Sequence, residues 1–342
     1  MRAIVKAEKG PGGIKLCNVT EPQPDINEVK IKVHAGGICG TDLHIMKDEG
    51  YAYRLGVTMG HEYSGVIVEI GSGVSKFQTG DRVVSLTAGF TCGQCRYCRE
   101  GLLMLCEDRL SIGSGMNGAF AEYIVIPESL VFKLPDSVSL DAAALCEPLA
   151  CTVRNVIEFS KVKAGDYVLV SGPGTIGQLV MQLVHQCGAK VMMTGTSVDA
   201  DRLRVASETG ADRVVNISAQ DPEKEMNEFT KGEGFDVAFE CAGAAASADL
   251  CLRLLRKSGQ YSQVGLFGKP VVFDHDLALK KEIHIVNSFA SERTSWETAL
   301  RLLEWGKINT DVLISHKYKF EDFEDAFAAA LNKEGFKILL TP

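Results

Sequence analysis

Tyr167-Val168-Leu169-Val170-Ser171-Gly172-Pro173-Gly174-Thr175-Ile176-Gly177 is an apolar run that breaks into a G-x-G-x-x-G turn. Beyond it Leu179, Val180, Leu183 and Val184 continue the spacing begun by Ile176, which is that of an amphipathic helix. A short apolar strand, a glycine turn and a helix in this order predict a dinucleotide-binding fold, a context far more specific than the glycines alone. Gly172 makes the turn, Gly174 lets a pyrophosphate approach the backbone, and Gly177 packs helix on strand. Thr175 and Ile176 open the helix, whose N-terminal N–H groups stabilise phosphate charge.

The same alternation continues outward. Residues 190–194, 213–217, 235–240, 260–265 and 282–289 read as strands, with helical stretches between them such as 201–209. The expectation is an α/β, doubly wound parallel sheet over 151–289. An acidic residue at the end of the second strand would bind a ribose 2′-hydroxyl, but the chain has Gly195-Thr196-Ser197 there. A small, hydroxyl-bearing turn leaves room for a 2′-phosphate, with Arg202 as a cation, although Asp199 could still reach a ribose. The coenzyme expectation is NAD(P), leaning to NADP. Val264, Gly265 and Ser288 lie at the ends of late strands, where ligands of open α/β sheets bind.

The first 150 residues read differently. Short strands at 29–33, 63–70, 82–85 and 120–126 alternate with Gly/Pro/Asp clusters, a β-rich pattern. Within this half, Cys92, Cys95, Cys98 and Cys106 are spaced C-x2-C-x2-C-x7-C. Four such thiols suit a closed tetrahedral zinc site, and a [4Fe–4S] cluster takes the same ligands. A closed site has no open position, so the chemistry lies elsewhere. Two helical stretches at 295–306 and 320–333 and a last strand at 336–340 return to this half. The expected catalytic domain is therefore 1–150 completed by 290–342.

Gly37-Ile38-Cys39-Gly40-Thr41-Asp42-Leu43-His44, Gly60-His61-Glu62 and Glu147-Pro148-Leu149 offer a thiol, an imidazole and carboxylates from three segments. A catalytic zinc needs three protein ligands and one open position. Together with the four-cysteine stretch and the nucleotide loop, these residues resemble the zinc-dependent medium-chain alcohol dehydrogenase family over essentially the whole chain. Glu62 and Glu147-Pro148-Leu149 are similar to the polyol (sorbitol-type) and threonine dehydrogenase branch.

The resemblance implies a GroES-like catalytic domain beside the Rossmann domain. It implies a catalytic Zn²⁺ on Cys39 and His61, with Glu62 and Glu147 sharing the remaining protein position directly or through water. It further implies a proton relay through Thr41 and His44, with Glu62 beside it, and a structural Zn²⁺ on Cys92, Cys95, Cys98 and Cys106. Val264, Gly265 and Ser288 would flank the nicotinamide. The implied reaction interconverts a secondary alcohol, a polyol or sugar-derived compound, and a ketone. L-Threonine and sugar-phosphate alcohols are the alternatives within the class. Tyr51, Tyr53 and Arg54 are candidates for the substrate wall, and Arg154 stands where polyol relatives often carry histidine. A non-catalytic nucleotide sensor would require loss of the ligands or the relay, and both are present.

Composition fits this reading. Lys plus Arg total 36 against 44 Asp plus Glu, a net charge of −8, which argues against a nucleic-acid partner. No apolar run approaches the ~20 residues of a membrane span, and the first residues do not resemble a signal peptide. A cytoplasmic protein is expected, with its eleven cysteines as metal ligands or core thiols. The family resemblance implies a homodimer or homotetramer.

Overall fold

The run Tyr167–Ser171 becomes the first strand of a six-stranded sheet, buried along Val168, Leu169 and Val170. All described pairings in this sheet are parallel, and its spatial order is Arg213–Asn216, Lys190–Gly195, Tyr167–Ser171, Phe235–Glu240, Leu255–Gln263, His284–Asn287. In chain order that is third, second, first, fourth, fifth, sixth, the arrangement of a doubly wound dinucleotide-binding sheet. The helix Thr175–Gln186 follows the first strand, burying Leu179, Val180, Leu183 and Val184. Residues 168–170 and 237–239, the middles of the two central strands, are unbroken apolar runs because both faces of the sheet are covered.

The computed structural model describes Met1–Pro342. Its chain divides into one unit of Met1–Glu147, Ser291–Trp305 and Leu313–Pro342, and another of Pro148–Ala290 and Gly306–Val312. The first unit is built on a seven-stranded sheet whose long strand Glu28–Gly37 pairs antiparallel with Glu62–Ile70 and Tyr123–Pro127. The last strand, Lys337–Thr341, pairs antiparallel with the end of Glu28–Gly37. Chain 291–305 is anchored to this unit by Trp296, buried and stacked on Phe132 at 5.6 Å.

Several details differ from the sequence reading. The strand expected over 120–126 is Tyr123–Pro127, because Phe120 is buried and bonded instead to Met59 and Ile4. The hairpin Arg2–Lys6/Ile14–Asn18 and the strand Ile314–Lys319 were not anticipated. In Ile314–Lys319 the more buried positions are Ile314, His316 and Tyr318, so polar and aromatic residues mask the alternation. Arg154, whose setting the sequence left open, is 5% exposed and opens the π-helical turn Arg154–Phe159. No helix is long and apolar enough to cross a membrane.

Candidate active site

Cys39 is the N-cap of the helix Gly40–Lys47, and its backbone N–H donates to Asp42 Oδ2 at 2.9 Å. The three-residue offset is that of a capping contact. It fixes the thiol at the helix start and buries Asp42 behind it. Glu62 opens the strand Glu62–Ile70, in register opposite Gly37. A Cβ at position 37 would stand 2.4 Å from Glu62 Oε2, so only glycine leaves the carboxylate its place. The ligand atoms of Cys39, His61 and Glu62 lie within 4.8 Å of one another. Glu147 is buried in the first turn of the helix Cys146–Val153 and bears electrostatically on His61 and Lys337, but lies outside that mutual group.

The electrostatics suit a cation. Burial lowers the affinity of His61 for a proton, but the charges of Cys39 and Asp42 outweigh it and hold the imidazole well above its ordinary range. Asp42 Oδ1 faces His61 Nδ1 across 3.9 Å. Burial pushes the Asp42 carboxyl up. Two buried carboxylate oxygens here, Asp42 Oδ1 and Glu62 Oε1, have no hydrogen-bond partner. Buried polar atoms are ordinarily satisfied, and a thiolate, an imidazole and a carboxylate are an ordinary zinc donor set. The residues therefore fit a zinc ion.

Thr41 Oγ1 lies 3.8 Å from Cys39 Sγ. His44 is one turn further along the same helix, its side chain 31% exposed and its Nδ1 4.0 Å from Glu49. Tyr51 is half-buried; burial raises its phenol, opposed by the charges of His61 and Arg109, so it lies beside the cluster. Tyr53 instead donates to Asp48 at 2.8 Å, and Arg54 is exposed.

The four-cysteine stretch forms a separate centre. Cys92 Sγ stands 3.9 Å from Cys98 Sγ and 3.7 Å from Cys106 Sγ. Four sulfurs at 2.3 Å from one zinc have edges of about 3.8 Å, whereas a four-iron cube would hold each thiolate at a different corner. The spacing fits a single ion. N–H bonds from Gln94 and Cys95 pull the Cys92 thiol down to about 7, while burial among the other thiols pushes Cys98 up to about 11. Glu292 braces this lobe, accepting from the backbone of Leu103 and Met104 at 3.1 Å each.

In the parallel-sheet unit, Gly174 caps the helix Thr175–Gln186, and a Cβ there would meet nothing within 4 Å. That open cradle at a helix N-terminus fits a pyrophosphate. A Cβ at Gly177 would stand 1.9 Å from Gly172 O, which is the close packing the motif demands. Asp199 Oδ2 accepts from Thr196 N and Oγ1 at 3.0 and 2.8 Å, and Asp199 also pairs with Arg202 at 3.5 Å. Val264 and Gly265 donate to Glu240 O. Asn155 donates to Ser288 Oγ at 3.0 Å and accepts from Ser262 Oγ at 2.8 Å. Sequence reasoning overlooked Asp42, Lys337, Glu240 and Asn155. Only Asp42 carried a signal, its capping offset from Cys39.

A GroES-like β unit, a six-stranded dinucleotide sheet, a four-thiol lobe and a Cys–His–Glu cluster define one class of protein. The chain belongs to the zinc-dependent medium-chain alcohol dehydrogenase family. Family models match at residues 25–136, an alcohol dehydrogenase GroES-like domain, and 175–305, a zinc-binding dehydrogenase. The chain is 40% identical to a sorbitol dehydrogenase of Halalkalibacterium halodurans, covering 100% of this chain and 99% of the relative. It is 36% identical to a D-arabitol-phosphate dehydrogenase of Enterococcus avium, covering 99% and 97%. Among solved structures it is similar to galactitol-1-phosphate dehydrogenase from Escherichia coli, with a TM-score of 0.91, 28% identity and full coverage of both chains. The chain is a zinc-containing, NAD(P)-dependent oxidoreductase acting on an alcohol.

Proposed function

We propose that this enzyme oxidises a secondary alcohol of a polyol or sugar-derived substrate to the ketone, at the cluster of Cys39, His61 and Glu62. The convergence of these three groups carries the reading. Zinc would be held by Cys39 and His61, with Glu62 and Glu147 sharing the third protein position, and Cys92, Cys95, Cys98 and Cys106 would hold the structural ion. When bound, zinc supplies Lewis-acid polarisation of the alcohol oxygen, and NAD(P)⁺ supplies the hydride acceptor. Asp42 orients His61 across the 3.9 Å gap, as outer carboxylates do for ligating histidines. Thr41 accepts the hydroxyl proton while releasing its own, and His44, half-exposed, passes that proton to solvent. A carboxylate in place of a second thiolate makes a harder site, which suits neighbouring hydroxyls.

Gly172, Gly174, Thr175, Ile176 and Gly177 would cradle the pyrophosphate, and Val264, Gly265 and Ser288 would flank the nicotinamide. The catalytic domain would be 1–150 with 290–342, and the dinucleotide domain 151–289. Thr196, Ser197 and Arg202 would take a 2′-phosphate, favouring NADP. Asp199 supports this, being engaged by Thr196 and Arg202. Arg202→Leu should raise the KM for NADP⁺ about tenfold, as loss of a charged hydrogen bond does, and leave that for NAD⁺ unchanged. Equal effects on both coenzymes would remove the assignment. Arg202 is a cleaner probe than Gly195, where a Cβ would stand 2.9 Å from Pro173 and 3.2 Å from Asp199.

A phosphorylated polyol is the second reading, favoured by Arg109, whose charge reaches Tyr51 beside the cluster. The relative that acts on D-arabitol phosphate points the same way. A panel of sorbitol, xylitol, galactitol, their phosphates and L-threonine with either coenzyme decides. Turnover of L-threonine alone, or of no secondary alcohol, would overturn the proposal.

A homodimer or homotetramer in the cytoplasm completes the proposal. The edge strand His284–Asn287 exposes Ile285 at 43%, an unpaired edge of the kind other chains cover. None of the eleven cysteines is paired in a disulfide, which suits a reducing compartment.

A further inference from the structure

Asn155 is a buried amide, 1% exposed, on a stretch where a helix changes pitch. The helix Cys146–Val153 continues as the π-helical turn Arg154–Phe159, and the Ser160 N–H reaches back five residues to Asn155 O at 3.0 Å. Arg154 packs along the widened turn, with Glu158 at 3.6 Å and the Phe159 ring at 5.1 Å. Such turns are rare and are frequent at functional sites. Here the turn brings the Asn155 side chain to the ends of two strands. Its amide nitrogen donates to Ser288 Oγ at 3.0 Å and to Gln263 O at 3.3 Å, and its oxygen accepts from Ser262 Oγ at 2.8 Å. Gln263 closes the strand Leu255–Gln263 and stands in register with Asn287, the last residue of the edge strand His284–Asn287. Ser288 is the first residue past that ladder, with no strand on its outer side.

We propose that Asn155 is a positioning residue for the nicotinamide: it fixes the Ser288 hydroxyl as a hydrogen-bond donor to the carboxamide of the coenzyme. This rests on the reading that Ser288 flanks the nicotinamide. A hydroxyl has one proton to give and two lone pairs. Ser288 Oγ accepts from Asn155, so its own proton is left for another acceptor. The carboxamide oxygen is the acceptor that an oxidised nicotinamide offers. A bond to it fixes how the ring lies, and with it the carbon that takes hydride. Asn155 is itself well held, because its two other bonds go to the end of the neighbouring strand, where Ser262 is fully buried. A buried amide with its polar atoms satisfied is confined to one orientation. An apolar side chain could fill the same space but could not hold the Ser288 hydroxyl.

The test compares two ligands on the full-length protein by titration calorimetry. One is the preferred oxidised coenzyme. The other is the matching ADP-ribose, with the 2′-phosphate if NADP⁺ is preferred, which keeps the pyrophosphate and lacks the nicotinamide. Asn155→Leu cannot donate to Ser288, and should weaken coenzyme binding about fivefold, as loss of one neutral hydrogen bond does. ADP-ribose should bind as it does to wild type. Equal weakening of both ligands would show that Asn155 only supports the fold and would overturn the proposal, as would no weakening of either. Asn155→Ser keeps a hydroxyl for Ser262 but is too short to reach Ser288. It carries the same expectation and keeps the test open if Asn155→Leu fails to fold. Ser288→Ala should likewise weaken the coenzyme alone, and adding either Asn155 substitution should weaken it no further. A further loss would show that Asn155 acts other than through Ser288 and would overturn the proposal. Wild-type coenzyme affinity in Ser288→Ala would instead overturn the reading that places Ser288 at the nicotinamide.

Discussion

Cys39→Ser is expected to cut turnover by at least about 10³-fold while the protein stays folded. Lewis-acid polarisation of the alcohol oxygen contributes several kcal/mol to the transition state, and each ~1.4 kcal/mol is a factor of ten. Cys39 is the only thiol of its cluster, so its loss removes the soft ligand and with it metal affinity. The fold should tolerate the change: serine is a good N-cap, and the bond to the Asp42 carboxylate is donated by the backbone N–H of residue 39, which the substitution keeps. Steady-state kinetics, metal content and circular dichroism check this together. Wild-type turnover in the serine variant would remove Cys39 from the metal site even if the activity were real.

Cys95→Ala is expected to act in the opposite way, on stability first. Sulfur atoms of the lobe stand at zinc-like separations, and the helix there, Arg96–Arg99, has only four residues and no buried ones. Little apolar packing replaces the metal if it is lost. Loss of a structural metal belongs among the mechanisms that cost more than about 4 kcal/mol, a fall in Tm on the order of 10 °C for a domain of this size. Differential scanning calorimetry should show that fall, with kcat per folded molecule largely kept. A variant that melted like wild type but lost turnover would reverse the roles given to the two centres.

The parts legible in the sequence are those fixed by local geometry. The loop Gly172–Gly177 is readable because each glycine answers a separate contact within a few residues. The four thiols are readable because their ligand spacing is a property of one short loop. Cys39, His61 and Glu62 are separated in sequence, and it was their family resemblance that joined them. Lys337 stayed invisible because it is 275 residues from Glu62 and reaches it only through pairing of the last strand with Glu28–Gly37. The setting of Arg154 was not legible because nothing local announces a π-helical turn that buries it against Glu158 and Phe159.

The most direct test of the account follows zinc and turnover together. Metal-depleted protein should take up two equivalents of zinc, and oxidation of the preferred secondary alcohol should return only with the equivalent bound at Cys39 and His61. In Cys39→Ser the remaining equivalent should bind at the four-cysteine lobe and restore no activity. Full alcohol oxidation by folded, metal-free protein, or by protein carrying zinc in the lobe alone, would contradict the account.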